Sequence, residues 1–380
     1  MLKKLLFRYK SLKMSIVSIN WDISWQVEKV FLEKLLLERK TLPNKGVYDS
    51  IYQYKAQTFK KSLLDILILQ IVSFCAFFLL TIRYLFSPIK KSINLYDVAF
   101  FYKKDIFDSS VIGNKELVFI DANQGSLTFG DFCFICKVLY KTRFNFIIMS
   151  TVVYRMAQSS FAIRTYSIKE LWVNMEYSCA SGILKDYCFN KNIVLNNFMH
   201  GEKILTLRDA FSCFDRFYVW NNDYFDMFQT LNTNSEIIIS NPWLSKSIEI
   251  KANRNPVKRT ICYFFKGVES DEEVLRLQES FDRLRVEFSF KIYVKDHPRQ
   301  GIVSSRFTNV SVIDKDVNFE YLYSTIDYLC AQYSTVLTQC EMLGVNYLVD
   351  DISNIELANK LKERGYLMAQ NVNLLSKFLK

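Results

Sequence analysis

Between residues 117 and 349 the chain repeats one rhythm: a short apolar run, then a longer mixed segment. The rhythm predicts strands at 117–121, 144–150, 193–197, 217–220 and 236–240, with a helix at 132–140. A linker containing Asn241, Pro242, Asn253, Asn255 and Pro256 interrupts it. It then restarts with strands at 261–265, 289–294, 309–313, 328–332 and 345–349 and an amphipathic helix at 270–287. Strands separated by helix-sized segments pair in parallel, because a parallel neighbour needs a crossover long enough to hold a helix. The expected fold is therefore α/β: two Rossmann-like parallel-sheet domains, 112–250 and 251–380, facing a cleft. Ligands of such sheets bind outside the carboxyl ends of the strands.

Residues 1–111 do not follow this rhythm and are expected to form a helical, membrane-associated extension. Its main feature is the uncharged run 66–82, extended to 63–86 at the cost of one acid and one arginine. Seventeen residues are at the short limit for crossing a bilayer. Lys60 and Lys61 precede the run, and Arg83, Lys90 and Lys91 follow it. Cations on both flanks suit a headgroup layer but do not fix an orientation. The run is compatible with a spanning helix, a half-buried helix and a buried helix of a soluble domain, with membrane contact favoured.

Composition narrows the classes. With 50% hydrophobic residues, 10 Gly and 5 Pro in 380, neither disorder nor a collagen-like chain fits. The net charge of +10 favours phosphate-bearing partners without choosing among them. No aromatic-basic stacking motif points to nucleic acid. Nine scattered cysteines, an odd number, argue for a reducing cytoplasm over a disulfide framework. Cys133 and Cys136 form a lone CxxC and read as ordinary helix positions. The N-terminus lacks the small-residue cleavage pattern of a secretory signal. GxGxxG and GxxxxGK[ST] are both missing, which lowers nicotinamide redox and ATP hydrolysis.

The chain holds two histidines, and each follows a predicted strand, one per domain. His200 lies in NNFMHGEK, and His297 in KIYVKDHPRQ. Lys295 and Arg299 flank His297, Pro298 fixes the backbone after it, and Asp296 is placed to orient the ring or to face solvent. Ser334 and Thr335 follow another strand of the same domain and read as the cap of the next helix. A helix start also binds phosphate. Glu341, six residues on, is a candidate for a sugar hydroxyl or a solvated helix position. Asp121 ends the first predicted strand, and Glu202 follows His200 by two. Glu176 and Tyr177 are compatible with a ligand site or an ordinary helix. Asp314 and Asp316 form a DxD after a strand, a weak metal signal.

MHGEK, KDHPR and YST together resemble bacterial GT-B-type glycosyltransferases with an HP motif, among them sialyltransferases and the related 3-deoxy-octulosonate transferases of capsule and lipopolysaccharide synthesis. The resemblance covers about residues 112–380. It implies that His297-Pro298 and Ser334-Thr335 contact the phosphate of a CMP-sugar, and that Glu341 matches a later helix glutamate. His200-Gly201 is similar to an HG element of polyol-phosphate polymerases. The acidic-acidic-glycine motif that carries the general base in many sialyltransferases is missing, which leaves His200, Glu202 and Asp121 as candidates. The implied reaction is metal-independent, inverting transfer of sialic acid or a related 2-keto-3-deoxy acid from a CMP donor. No cofactor is expected. The implied acceptor is a lipid-linked O-antigen or capsular glycan, at the cytoplasmic face of the bacterial inner membrane or in the cytoplasm. A polyol-phosphate transferase of teichoic-acid type and a nucleoside-diphosphate-sugar transferase are the alternatives. A non-enzymatic membrane or nucleic-acid binder is the distant one.

Overall fold

The computed structural model describes residues 19, 21–88, 95–101, 109–297, 301–314, 316–366 and 373–380. The chain divides into two compact units: 1–200 with 206–240, and 201–205 with 241–380.

Among the described residues the first unit opens with three helices, α1 (Trp25–Lys40), α2 (Gly46–Gln57) and α3 (Leu63–Leu85). Its sheet follows, with β1 (Val98–Phe100), β2 (Leu117–Phe119), α4 (Phe129–Lys141), α5 (Phe146–Tyr166), β3 (Glu170–Val173), α6 (Ser181–Phe189), β4 (Val194–Phe198), β5 (Arg216–Val219), α7 (Asn222–Thr230) and β6 (Glu236–Ile239). All pairings are parallel, in the order β2-β1-β3-β4-β5-β6. The strand order reverses between β1 and β3, which makes that position the switch point of the sheet.

The second unit contains α8 (Leu244–Asn253), β7 (Val257–Phe264), α9 (Asp271–Val286), β8 (Lys291–Lys295), β9 (Ser311–Val312), α10 (Phe319–Thr325), β10 (Ile326–Ala331), α11 (Thr335–Leu343), β11 (Tyr347–Val349) and α12 (Ile355–Glu363). Its sheet is again all parallel, ordered β11-β10-β7-β8-β9, with the switch point between β7 and β10. Two doubly wound parallel sheets, as expected, are thus present. The helix expected at 270–287 is α9. Ser270 and Glu273 close a capping box at its start, and Val274, Leu277, Phe281 and Leu284 are buried on its inner face. Each such burial is worth about 1.5–3 kcal/mol, enough to seat the helix on β7 and β8.

Two local expectations are corrected. Residues 144–150, read as a strand, contain the start of the 21-residue helix α5. Asn145 caps it, its side chain accepting from the Ile148 amide. A short apolar run does not distinguish the two states, and here the apolar character continues at helical length. Conversely β1 and β3 carry no strong strand signal, yet β1 pairs with both β2 and β3. At three and four residues they are too short to show alternation.

The N-terminal helices are built into the first unit. Gly46 and Gly182 meet backbone to backbone. A Cβ on Gly46 would lie 1.9 Å from the Gly182 carbonyl oxygen, and one on Gly182 would lie 2.1 Å from that of Gly46. The Asp186 carboxylate accepts the amides of Gly46 and Val47 at 3.0 and 3.1 Å, holding the free N–H groups at the start of α2. The Arg39–Asp49 pair, at 2.7 Å and almost wholly buried, joins α1 to α2.

Candidate functional site

In the first unit the residues after β3 and β4 converge on one imidazole. Glu176 is fully buried, three residues past β3. Its Oε1 lies 2.9 Å from Nδ1 of His200, which is two residues past β4. The two atoms are at ion-pair distance but do not align as a hydrogen bond. The same oxygen accepts the His200 backbone amide at 3.3 Å, and Oε2 accepts from Asn197 at 3.4 Å. The Tyr177 ring packs against the imidazole, with centroids 5.4 Å apart.

The Glu176–Tyr177 loop is held from α2. The Gln53 side-chain amide donates to the Glu176 carbonyl at 2.9 Å, and that of Gln57 to the Tyr177 carbonyl at 2.8 Å. The N-terminal helices thereby position a residue beside the histidine. The sequence singled out Glu176 only as an ambiguous residue and gave no sign of Gln53 or Gln57. A carboxylate 24 positions before its histidine is visible only once β3 and β4 are known to be neighbours.

Of the other candidates for the base, Asp121 is remote from the ring within the same sheet. Asp121 is exposed, two residues past β2, and its amide donates to the Gln124 side chain. Three strand spacings, roughly 14 Å, separate β2 from β4. Glu202 is buried and belongs to the 201–205 segment of the second unit. The carboxylate against the His200 ring is that of Glu176.

Two further polar atoms sit at the same carboxyl edge. Asn174, the first residue past β3, and Trp220, the first past β5, are both buried. Among the described residues, Asn174 Oδ1 and Trp220 Nε1 have no hydrogen-bond partner. Buried polar atoms normally have partners, so such atoms at a ligand-facing edge are open to a bound molecule.

In the second unit three adjacent strands, β10, β7 and β8, end at one edge. Ser334 follows β10, Lys266 follows β7 and His297 follows β8. Ser334 is the N-cap of α11, as expected, its hydroxyl accepting from the Val336 amide at 3.2 Å. Lys266, not singled out from the sequence, stands at the switch point. Its ammonium lies 2.7 Å from Gln332 Oε1 and 3.0 Å from Glu273 Oε1.

Thr335, beyond opening α11, accepts the backbone amide of Glu202 on its hydroxyl at 3.1 Å. Arg364, almost wholly buried, donates to the Leu205 carbonyl at 2.9 Å, and the Leu205 amide donates to the Arg364 carbonyl at 2.8 Å. These contacts fasten 201–205 to the second unit. Gly201 has φ +84, a conformation that suits glycine and lets the chain turn here.

Lys295, the last residue of β8, is buried and donates to the Asp314 carbonyl at 2.5 Å. Burial pulls its ammonium below the ordinary lysine value, opposed by Cys262, Asp314 and Asp316. Asp296 does more than face solvent. Its Oδ1 accepts the amides of Val303 and Ser304 at 2.8 and 2.9 Å, and its Oδ2 the Ser304 hydroxyl. His297 itself is partly buried. Pro298 and Arg299 lie outside the described residues. Glu341 is exposed on α11. In the DxD the Asp314 carboxylate accepts the Asp316 amide at 2.9 Å. Among the described residues no three potential metal ligands cluster. Cys133 and Cys136 are exposed on α4 as free thiols.

No protein-family model matches the chain. No curated protein matches it by sequence. Solved structures similar to it include the UDP-GlcNAc 2-epimerase of Methanocaldococcus jannaschii in complex with UDP-GlcNAc and UDP. That match has 11% identity and a TM-score of 0.42, over 74% of this chain and 94% of the other. The UDP-GlcNAc 2-epimerase of Neisseria meningitidis bound to UDP-GlcNAc matches at 13% identity and TM-score 0.41, over 70% and 85%. The wall teichoic acid polymerase TagF matches at 11% identity and TM-score 0.38, over 93% and 89%.

Proposed function

We propose that the protein is a transferase using a nucleotide-activated sugar, with a CMP-activated sialic or related 2-keto-3-deoxy acid as the expected donor and a lipid-linked surface glycan as the expected acceptor. The observation that carries the reading is the Glu176–His200 pair at the carboxyl edge of the first sheet. A buried carboxylate beside Nδ1 leaves Nε2 to take a proton, and the contact strengthens once the ring is charged. In the reaction the acceptor hydroxyl gives its proton to His200 as its oxygen bonds the anomeric carbon. The bond from that carbon to the donor phosphate breaks, and CMP leaves with the electron pair.

Support on the donor side comes from the second sheet, where Ser334, Lys266 and His297 follow three adjacent strands. Lysine, histidine and a helix N-terminus all stabilise a phosphate that gains charge as it departs. Asn174 and Trp220 offer an acceptor Oδ1 and a donor Nε1 for hydroxyl groups of the glycan. None of these steps requires a metal ion.

The test is a donor screen. Purified protein is incubated with CMP-sugars, UDP-sugars and CDP-polyols plus a lipid-linked acceptor, and products are weighed by mass spectrometry. The expected product is an acceptor heavier by one acidic sugar, with free CMP. A product that retains phosphorus would assign polyol-phosphate transfer, and turnover of UDP-sugars alone would assign a nucleoside-diphosphate donor.

A further inference from the structure

Helix α3 is apolar all round, yet only one of its faces is covered. Leu69, Ser73, Phe77 and Tyr84 are buried on its inner side, which packs against α5. Its outer side exposes Leu64, Leu67, Ile71, Phe78 and Ile82, each between 46% and 66%. Phe144, 55% exposed, extends the patch, since its carbonyl accepts from Gln70 of α3 at 3.0 Å. A soluble chain rarely leaves so continuous an apolar surface in water.

The length of α3, 23 residues, would suffice to cross a bilayer, and its packing argues against it. The Gln70 side chain bonds the Phe144 carbonyl and the Ile147 amide, and the Tyr84 carbonyl accepts the Leu127 amide. α3 is therefore fastened to the first unit at two points, Gln70 in its N-terminal half and Tyr84 in its last turn. A spanning α3 would carry α5 into the hydrocarbon with it. That helix is long and apolar enough by composition, but it is 72% buried within the protein. It also bears Arg155 and Arg164, and its Ser160 donates to buried Asp131 at 2.6 Å. The cations lie at both ends of α3: Lys60 and Lys61 just before it, Arg83 in its last turn. In a helix lying along a surface, both sets meet one headgroup layer.

We infer that the outer face of α3, with Phe144, lies in the plane of an anionic bilayer leaflet, sunk to the headgroup–acyl boundary, and holds the first unit against the membrane without crossing it. Nothing in this geometry depends on the reaction proposed above. Charge complementarity selects the partner: the apolar stripe is bracketed by cations, and the whole chain carries +10.

Vesicle flotation of the full chain tests it, using phosphatidylcholine alone and phosphatidylcholine mixed with phosphatidylglycerol. The expected result is flotation with the anionic vesicles, much weaker with the neutral ones. The double variant Leu67→Glu/Ile71→Glu should reduce the bound fraction by about tenfold or more, with an unchanged circular dichroism spectrum. Tryptophan placed singly at Leu64, Ile71 or Leu79 then reads depth against lipids brominated near the headgroup or near the chain end. An in-plane helix gives the same shallow quenching at all three. Deep quenching at Ile71→Trp with shallow quenching at Leu64→Trp would show a spanning helix and overturn the inference. So would failure to float with either vesicle, with or without a lipid-free dimer that the double variant dissociates.

Discussion

Glu176 Oε1 stands 2.9 Å from His200 Nδ1, and the same oxygen accepts the His200 backbone amide. One buried carboxylate thus lies against the ring and holds the backbone that carries it. If the ring is the base, Glu176 is its positioning residue, and the two act as a unit. His200→Ala and Glu176→Gln should each lower kcat about 100-fold or more while CMP affinity stays near wild type. The double variant should be little worse than either single one, because coupled residues are not additive. Transfer kinetics together with calorimetry separate the outcomes. Lost CMP affinity in His200→Ala would make the ring a phosphate ligand instead.

Thr335 ties the 201–205 segment to α11 through the Glu202 amide. Thr335→Val keeps the shape and removes the acceptor, leaving a partly buried amide without its partner. The expected cost is about 1–2 kcal/mol. Ser334→Ala removes the N-cap of α11 and should cost about 1 kcal/mol. Urea denaturation midpoints measure both.

How far the sequence exposed this arrangement depended on the range of the signal. Ser334 was readable as a cap because cap and helix are adjacent in the chain. His297 was readable as a strand-end residue because the centre of β8, Ile292 to Val294, is a compact apolar run. Glu176 was not, since its role depends on the pairing of β3 with β4, and β3 is four residues long with a charged first position. Gln53 and Gln57 lie 123 and 120 positions from the carbonyls they hold. No local pattern marks such residues. Thr335 was expected at a phosphate, yet its bond to Glu202 depends on a segment 133 positions away.

Asp131 provides a test by pH. Burial alone would raise its carboxyl, but hydrogen bonds from Ser160, the Thr128 backbone and hydroxyl pair, and Tyr187 outweigh it and hold it below the ordinary aspartate value. A carboxyl depressed in the folded state stabilises the fold above its unfolded pKa, about 3.9. That stability is lost as pH falls through the folded value. Asp131→Asn should therefore cost about 1–3 kcal/mol at neutral pH. Its deficit should shrink progressively below about pH 4. Urea midpoints at several pH values would show the convergence, and a deficit independent of pH would assign the loss to packing.

Gly46 and Gly182 approach so closely that neither accepts a methyl group without backbone movement. Gly182→Ala should destabilise the first unit by about 2 kcal/mol or more. Because α2 also holds the Glu176–Tyr177 loop through Gln53 and Gln57, the variant should lose turnover at temperatures where it remains folded. Gln53→Leu separates the two effects: it removes the bond to the Glu176 carbonyl and leaves the glycine contact in place. Thermal melts and transfer assays on both variants supply the comparison.

The donor phosphate has two candidate anchors in the second unit. His297 and Lys266 follow β8 and β7, which are adjacent, and Lys266 stands at the switch point beside Gln332. A hydrogen bond from a charged donor to a phosphate contributes about 1.5–3 kcal/mol, a factor of roughly 10–150 in affinity. His297→Ala should weaken CMP binding on that scale. Lys266→Met should do the same only if its ammonium leaves Glu273 and Gln332 to reach the nucleotide, because both already satisfy it in the structure. Calorimetry with CMP on the two variants decides. Loss in His297→Ala alone places the phosphate over β8 and leaves Lys266 as a structural tie across the sheet. Loss in Lys266→Met alone, with the fold intact by circular dichroism, moves the phosphate to the switch point and removes His297 from the donor site.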